Sequence, residues 1–119
     1  MKNLQIYEYS KNLSIFKDFN IKLPVKISFY LQKNIQLIQQ AATDIEKARL
    51  GIGQKFGQMN EACTGYDIPA ENLEEANKEL ADLFDLEQDI NIHKFKIEEF
   101  NNIELSYQEL SAIMFMIEE

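Results

Sequence analysis

The stretch RLGIGQKFGQ, residues 49–58, carries glycines at 51, 53 and 57 and a lysine at 55, the residue types of a phosphate-binding loop. The spacing does not fit that chemistry. A dinucleotide loop needs G-x-G-x-x-G after a strand and at the start of a helix, whereas this stretch reads G-x-G-x-x-x-G and follows a helical pattern. A Walker loop needs G-x-x-x-x-G-K followed by Ser or Thr, and Lys55 has neither that glycine spacing nor that hydroxyl. The stretch reads instead as the weakening end of a helix. Gly51 and Gly53 each lower helix stability by about 1 kcal/mol relative to alanine, and Gly57 suits a left-handed stop.

The other reactive residue types are sparse. His93 is the only histidine, so a His-based triad or a multi-histidine zinc site has no second member, and His93 is expected to be half-buried on a strand. Cys63 is the only cysteine. It sits among polar turn residues without a nearby base, so it reads as neither a nucleophile nor half of an internal disulfide. Carboxylates are plentiful, and Glu74, Glu75, Glu79, Asp82 and Asp85 fall at helical spacing as a solvated face. The stretch DLFDLEQDI lacks the glycine a calcium loop needs at its sixth position. No catalytic residue, cofactor site or metal site is expected, and the chain is not expected to be an enzyme.

The elements that would position these residues are those of one domain of 119 residues. Four glycines and two prolines favour long regular elements. No apolar run approaches the roughly eighteen residues of a membrane span, and the N-terminal dozen residues do not read as a signal peptide. A lone cysteine fits a reducing compartment. The formal charge of −8 disfavours nonspecific binding to nucleic acid or to an anionic membrane. The charge is unevenly spread. Residues 1–60 hold nine Lys or Arg against four Asp or Glu, and residues 61–119 hold three against sixteen. The two halves are expected to pair as neighbouring helices, with surplus carboxylate left on the second half for a basic partner.

Hydrophobic spacing sets the order of elements. Leu4, Tyr7, Leu13, Phe16 and Phe19 predict an amphipathic N-terminal helix over residues 1–20. Pro24 opens a long helix over 24–57, with Leu31, Ile38, Ile45 and Ile52 seven apart and Asn34, Ala41 and Ala48 as a second, interleaved row. Thirty-three residues make a rod of about 50 Å, which must lie along something of similar length. Residues 57–70 read as a reversing turn. Leu73, Ala76, Leu80 and Leu83 then predict an acidic helix over 72–86, folded back antiparallel on the rod. Residues 89–97 read as a strand whose partner is either LQIYEY near the N-terminus or another chain. Ser106 with Glu109 forms a capping box ahead of an apolar C-terminal helix over 107–118, in which Phe115 and Met116 are candidate partner contacts.

Four stretches together, KLPVKISFYLQKN, IQQAATDIEKARLGIGQKFG, ELADLFDLEQDINIHKFKIEEF and ELSYQELSAIMFMIEE, resemble small uncharacterised proteins encoded by phages and prophages of Gram-positive bacteria. The resemblance covers residues 23–119 and rests on packing motifs. It implies origin and brings no functional residues with it.

The expected fold is mainly α: a long antiparallel helical hairpin with a short N-terminal helix, one β-like segment and an apolar C-terminal helix. The expected function is non-enzymatic protein–protein binding by a phage-derived virion component, assembly factor or adaptor, with homo-oligomers possible. The candidate contacts are Glu74, Glu75, Glu79, Asp82, Asp85, Phe115 and Met116. The rival expectation is an anti-defence inhibitor, similar in mode to anti-CRISPR proteins, whose acidic face blocks the basic nucleic-acid channel of a host nuclease. The place of action is the cytoplasm of the infected host, or the virion.

Overall fold

The computed structural model describes residues 1–18 and 22–118. The elements, in order, are α1 (Asn3–Leu13) continued by a 3-10 turn (Ser14–Asp18), α2 (Val25–Phe56), β1 (Gln58–Met59), β2 (Tyr66–Asp67), α3 (Leu73–Asp85), β3 (Phe95–Lys96), α4 (Tyr107–Ile113) and β4 (Ile117–Glu118). Among the described residues the fold is mainly α, with the long α2 packed against α1 and α3 and two small two-stranded sheets. The far end of the expected N-terminal helix, residues 19–20, lies outside the described residues.

Contacts divide the chain into two compact units. The first comprises residues 1–7 and 41–88, and the second comprises residues 8–40 and 89–119. Helices α1 and α2 each run through both.

The first unit has a small core of Ile6, Ala41, Ala42, Ile45 and Ala76. Tyr7 packs edge-on to Phe84 at 5.6 Å. The chain reverses after α2 through a built turn rather than a plain loop. β1 and β2 pair antiparallel, Asn60 Oδ1 accepts the Thr64 amide at 3.0 Å, and Cys63 takes the left-handed backbone conformation at φ 55°. The other end of α3 is held by a clasp around Asn3. Its amide N–H donates to the Leu86 carbonyl at 2.8 Å, its side-chain Nδ2 donates to the Leu83 carbonyl at 2.8 Å, and its Oδ1 accepts from Gln88 Nε2 at 2.8 Å. Leu83 is in the last turn of α3, where helix carbonyls otherwise lack partners.

The second unit has the larger core: Leu13, Ile27, Leu31, Ile38, Ile92, Phe95, Phe100, Ala112, Ile113 and Met116. Burying each of the larger of these side chains contributes about 1.5–3 kcal/mol. Asn34 lies 1% exposed on the same face of α2. Its Nδ2 donates to the His93 carbonyl at 2.9 Å and its Oδ1 accepts the His93 amide at 2.9 Å. A side-chain amide thus stands in for a neighbouring strand.

This explains the first correction. Residues 89–97 are not a strand throughout, because only Phe95 and Lys96 join a ladder. Their partner is neither the N-terminal segment nor a second chain but β4, paired in parallel, with Phe95 opposite Ile117. The second correction follows from the same pairing. The C-terminal helix stops at Ile113, not 118, passes through a 3-10 turn (Met114–Met116) and becomes β4. Lys94 Nζ donates to the Phe115 carbonyl at 2.5 Å and helps hold that end. The capping box is present as expected: Ser106 Oγ accepts the Glu109 amide at 3.1 Å, and Glu109 Oε1 accepts the Ser106 amide at 2.8 Å.

A third correction concerns the rod. Burial follows 27, 31, 34, 38, 41 and 45 at alternating steps of four and three, but Ala48 is exposed. A straight helix drifts about 20° per heptad relative to a strict seven-residue row. By Ala48 the second row has rotated out of the core, and Ala42 and Gly53 have rotated in.

Candidate functional site

The outer face of α3 is built from an amphipathic pattern. Ala76 is buried, Leu80, Leu83 and Phe84 are half-buried, and Glu74, Glu75, Asn77, Lys78, Ala81 and Asp82 point to solvent. Two of the five candidate carboxylates are committed to cations of the same unit. Glu79 Oε1 meets Lys55 Nζ at 2.6 Å, and Asp85 Oδ1 meets Lys2 Nζ at 2.8 Å. The Asp85 hydrogen bond, then its charge, raises the Lys2 ammonium above its ordinary pKa of 10.5. Glu74, Glu75 and Asp82 make no salt bridge among the described residues. They are exposed, and the exposed Lys78 lies four residues from Glu74 and Asp82 and three from Glu75, spacings that put helical side chains about 5–6 Å apart. The pairing of a basic first half with an acidic second half therefore exists and is partial.

The two C-terminal candidates fare differently. Met116 is 0% exposed and belongs to the core of the second unit, so it offers nothing to a partner. Phe115 is half-buried and stacks on Tyr9 with ring centroids 4.0 Å apart. The 3-10 turn that ends α4 directs both inward, which helical spacing alone does not reveal.

The residues singled out as reactive are engaged structurally. Arg49 donates from Nε to Glu46 Oε2 at 2.9 Å and from a terminal nitrogen to Oε1 at 2.6 Å, an i−3 fork that raises its pKa further. Lys55 is paired with Glu79. The glycines between them lie on helix, since α2 continues to Phe56. Gly57 does not adopt the expected left-handed conformation. It is small for another reason: a Cβ there would run into the Asp67 carbonyl, and one on Gly53 would lie 2.8 Å from the Tyr66 ring. The end of α2 is instead capped by Asn72 Nδ2, which donates to the Phe56 carbonyl at 3.0 Å. His93 is half-buried, stacked on Tyr30 with centroids 3.8 Å apart, and edge-on to Phe95. Cys63 is exposed in the β1–β2 turn. Among the described residues no group of three or more His, Cys, Asp or Glu side chains is placed to hold a metal ion, and no helix is long and apolar enough to cross a membrane.

One surface was not anticipated from the sequence. Val25, Phe29 and Leu37 are exposed on α2, with Lys33 between the latter two and its Nζ 5.6 Å from the Phe29 ring centre. The i, i+4 spacing 25–29–33–37 carries the signal, but the stronger heptad row on the opposite side of the helix masks it.

By fold this is a mainly α protein in which the exposed charge of α3 is the most distinctive surface. Comparison of the chain with known protein families, with curated proteins and with solved structures finds no match.

Proposed function

We propose that this is a non-enzymatic, phage-derived protein that acts by binding another protein, using an α2–α3 antiparallel hairpin as scaffold and the outer face of α3 as contact. The observation that carries this reading is the split among the α3 carboxylates. Glu79 and Asp85 fasten the helix to its own unit, while Glu74, Glu75 and Asp82, three carboxylates around the single Lys78, face solvent and make no salt bridge among the described residues. Exposed like charges on one helix repel one another, and a basic partner relieves that repulsion. The role is that of a virion component, assembly factor or adaptor, in the infected cell or the virion. Tagged protein recovered from phage-infected cells tests it. The wild type should retain a specific partner that Glu74→Lys/Glu75→Lys/Asp82→Lys loses while keeping the same melting temperature. Equal recovery by both would contradict the reading.

The same carboxylate row supports a second reading, an anti-defence inhibitor that occupies the basic nucleic-acid channel of a host nuclease. Carboxylates on successive turns present repeated negative charge as a phosphate backbone does. Such binding should weaken steeply as salt rises, because exposed charges more than about 10 Å apart are screened at 0.1 M. Addition of the protein should also displace DNA from the nuclease.

A further inference from the structure

Two exposed faces complement each other in charge and length. The first is on α2 in the second unit, where Val25 (85% exposed), Phe29 (55%) and Leu37 (43%) line one side. Residues 22–40 contain Lys22, Lys26 and Lys33 and no carboxylate at all. The second is on α3, where Leu73–Asp85 contain five carboxylates and one lysine, with Leu73 and Leu86 exposed at either end. Val25 to Leu37 and Leu73 to Asp85 each span twelve residue steps, about 18 Å of helix.

Large exposed apolar side chains in a row on the solvent side of a helix mark a contact surface more often than scattered ones do. Here the row is flanked by cations. Among the described residues Lys26 meets a carboxylate, Glu99 at 3.7 Å, and Lys22 and Lys33 make no salt bridge. The charge complement that this molecule itself offers to a basic helix face of this length is the acidic α3 face of another copy of the chain.

We propose that the protein associates head to tail, the Val25–Phe29–Lys33–Leu37 face of one copy docking on the outer face of α3 of the next. The proposal rests on α3 being a binding surface and names a second copy as an occupant. Because the two faces are different, the contact is heterologous, so each pair keeps one free donor face, on α2, and one free acceptor face, on α3. The seam is short, below the roughly 1,200 Å² of a stable interface, so association is expected on the order of 10 μM or weaker.

Light scattering on the purified full chain, across concentration and salt, tests this. The donor-face variant Phe29→Glu/Lys33→Glu and the acceptor-face variant Glu74→Lys/Glu75→Lys/Asp82→Lys should each be monomeric. Mixed together, they set the wild-type α2 face of one against the wild-type α3 face of the other, and the altered faces, now acidic on α2 and basic on α3, also carry opposite charge. The mixture should therefore associate where neither variant does alone, and the wild type should form larger species that dissociate at high salt. Lys33→Glu alone, at a solvent-facing position, should weaken wild-type association by about tenfold. A wild type that is monomeric at about 1 mM, two orders above that scale, or a mixture that does not pair, would overturn the proposal. A monomeric wild type whose α3 variant still loses its co-purified partner would overturn the self-docking alone and leave the binding role of α3 standing.

Discussion

The two units of this chain are stabilised in different ways. The second is built around large buried side chains, Phe95, Phe100, Leu13, Ile38, Ile113 and Met116, and aromatic contacts extend from Phe95 to His93, Tyr30 and Phe100. The first buries only Ile6 and Ile45 among its large apolar residues, with alanines filling the rest. It carries eleven Asp or Glu against five Lys or Arg, where the second carries nine against seven. The unit with the smaller core is therefore the one with the larger unbalanced charge. What the first unit lacks in apolar burial it makes up in polar fastening: the Asn3 clasp at one end of α3, Asn72 at the other, and the Lys2 and Lys55 ion pairs. Exposed ion pairs contribute little, a few tenths to about 1 kcal/mol each. The first unit should open more readily than the second, and the surface proposed to bind is on it.

The largest expected effect sharpens that contrast. Phe95→Ala removes the fully buried ring at the centre of the second unit and should destabilise it by about 3–5 kcal/mol, whereas Ile45→Val in the first should cost about 0.5–1.5 kcal/mol. Urea unfolding of the variants measures both. Next come the two buried asparagines. Asn34→Ala leaves both the amide and the carbonyl of His93 without their partner and should cost about 1–3 kcal/mol, whereas Asn3→Ala removes the bonds to Leu83 and Gln88 but leaves the Leu83 carbonyl its bond from the Leu86 amide and should cost about 0.5–1.5 kcal/mol. If Asn3→Ala were silent, the clasp would not be what holds the first unit.

A pair of glycine substitutions two residues apart on one helix should go in opposite directions. Gly51 has open space where a Cβ would be, so Gly51→Ala should stabilise by about 0.5–1 kcal/mol. Gly53→Ala meets the Tyr66 ring and should instead lower the melting temperature. The smallest effect is that of Lys2. Asp85 raises its pKa, so the stability this pair adds is complete below the ordinary value of 10.5 and is lost as pH rises through the raised one. The difference in melting temperature between wild type and Lys2→Met should be constant from pH 6 to 9 and shrink only in strong alkali.

Much of the helical architecture was legible because it rests on periodicity. The rows through Leu31, Ile38 and Ile45, the amphipathic pattern of α3 and the Ser106–Glu109 box all express local rules that the folded chain obeys. What was not legible depends on distant partners. Residues 92–94 are outside the ladder because a helix side chain, Asn34, satisfies the amide and carbonyl of His93, and no local pattern announces that. The final residues leave the helix because Phe95 and Lys96 offer them a ladder. Of the candidate contacts, the exposure of Glu74, Glu75 and Asp82 was readable from helical phase. The burial of Met116 was not, since it follows from a 3-10 turn that shifts that phase.

The central claim is that the outer face of α3 is where this protein binds. Amide hydrogen exchange of the chain, alone and in complex with the protein that co-purifies with it, tests this most directly. New protection over residues 73–85, on a helix whose own unit opens readily, is the predicted result. Protection elsewhere in the chain, with residues 73–85 exchanging as before, would contradict it.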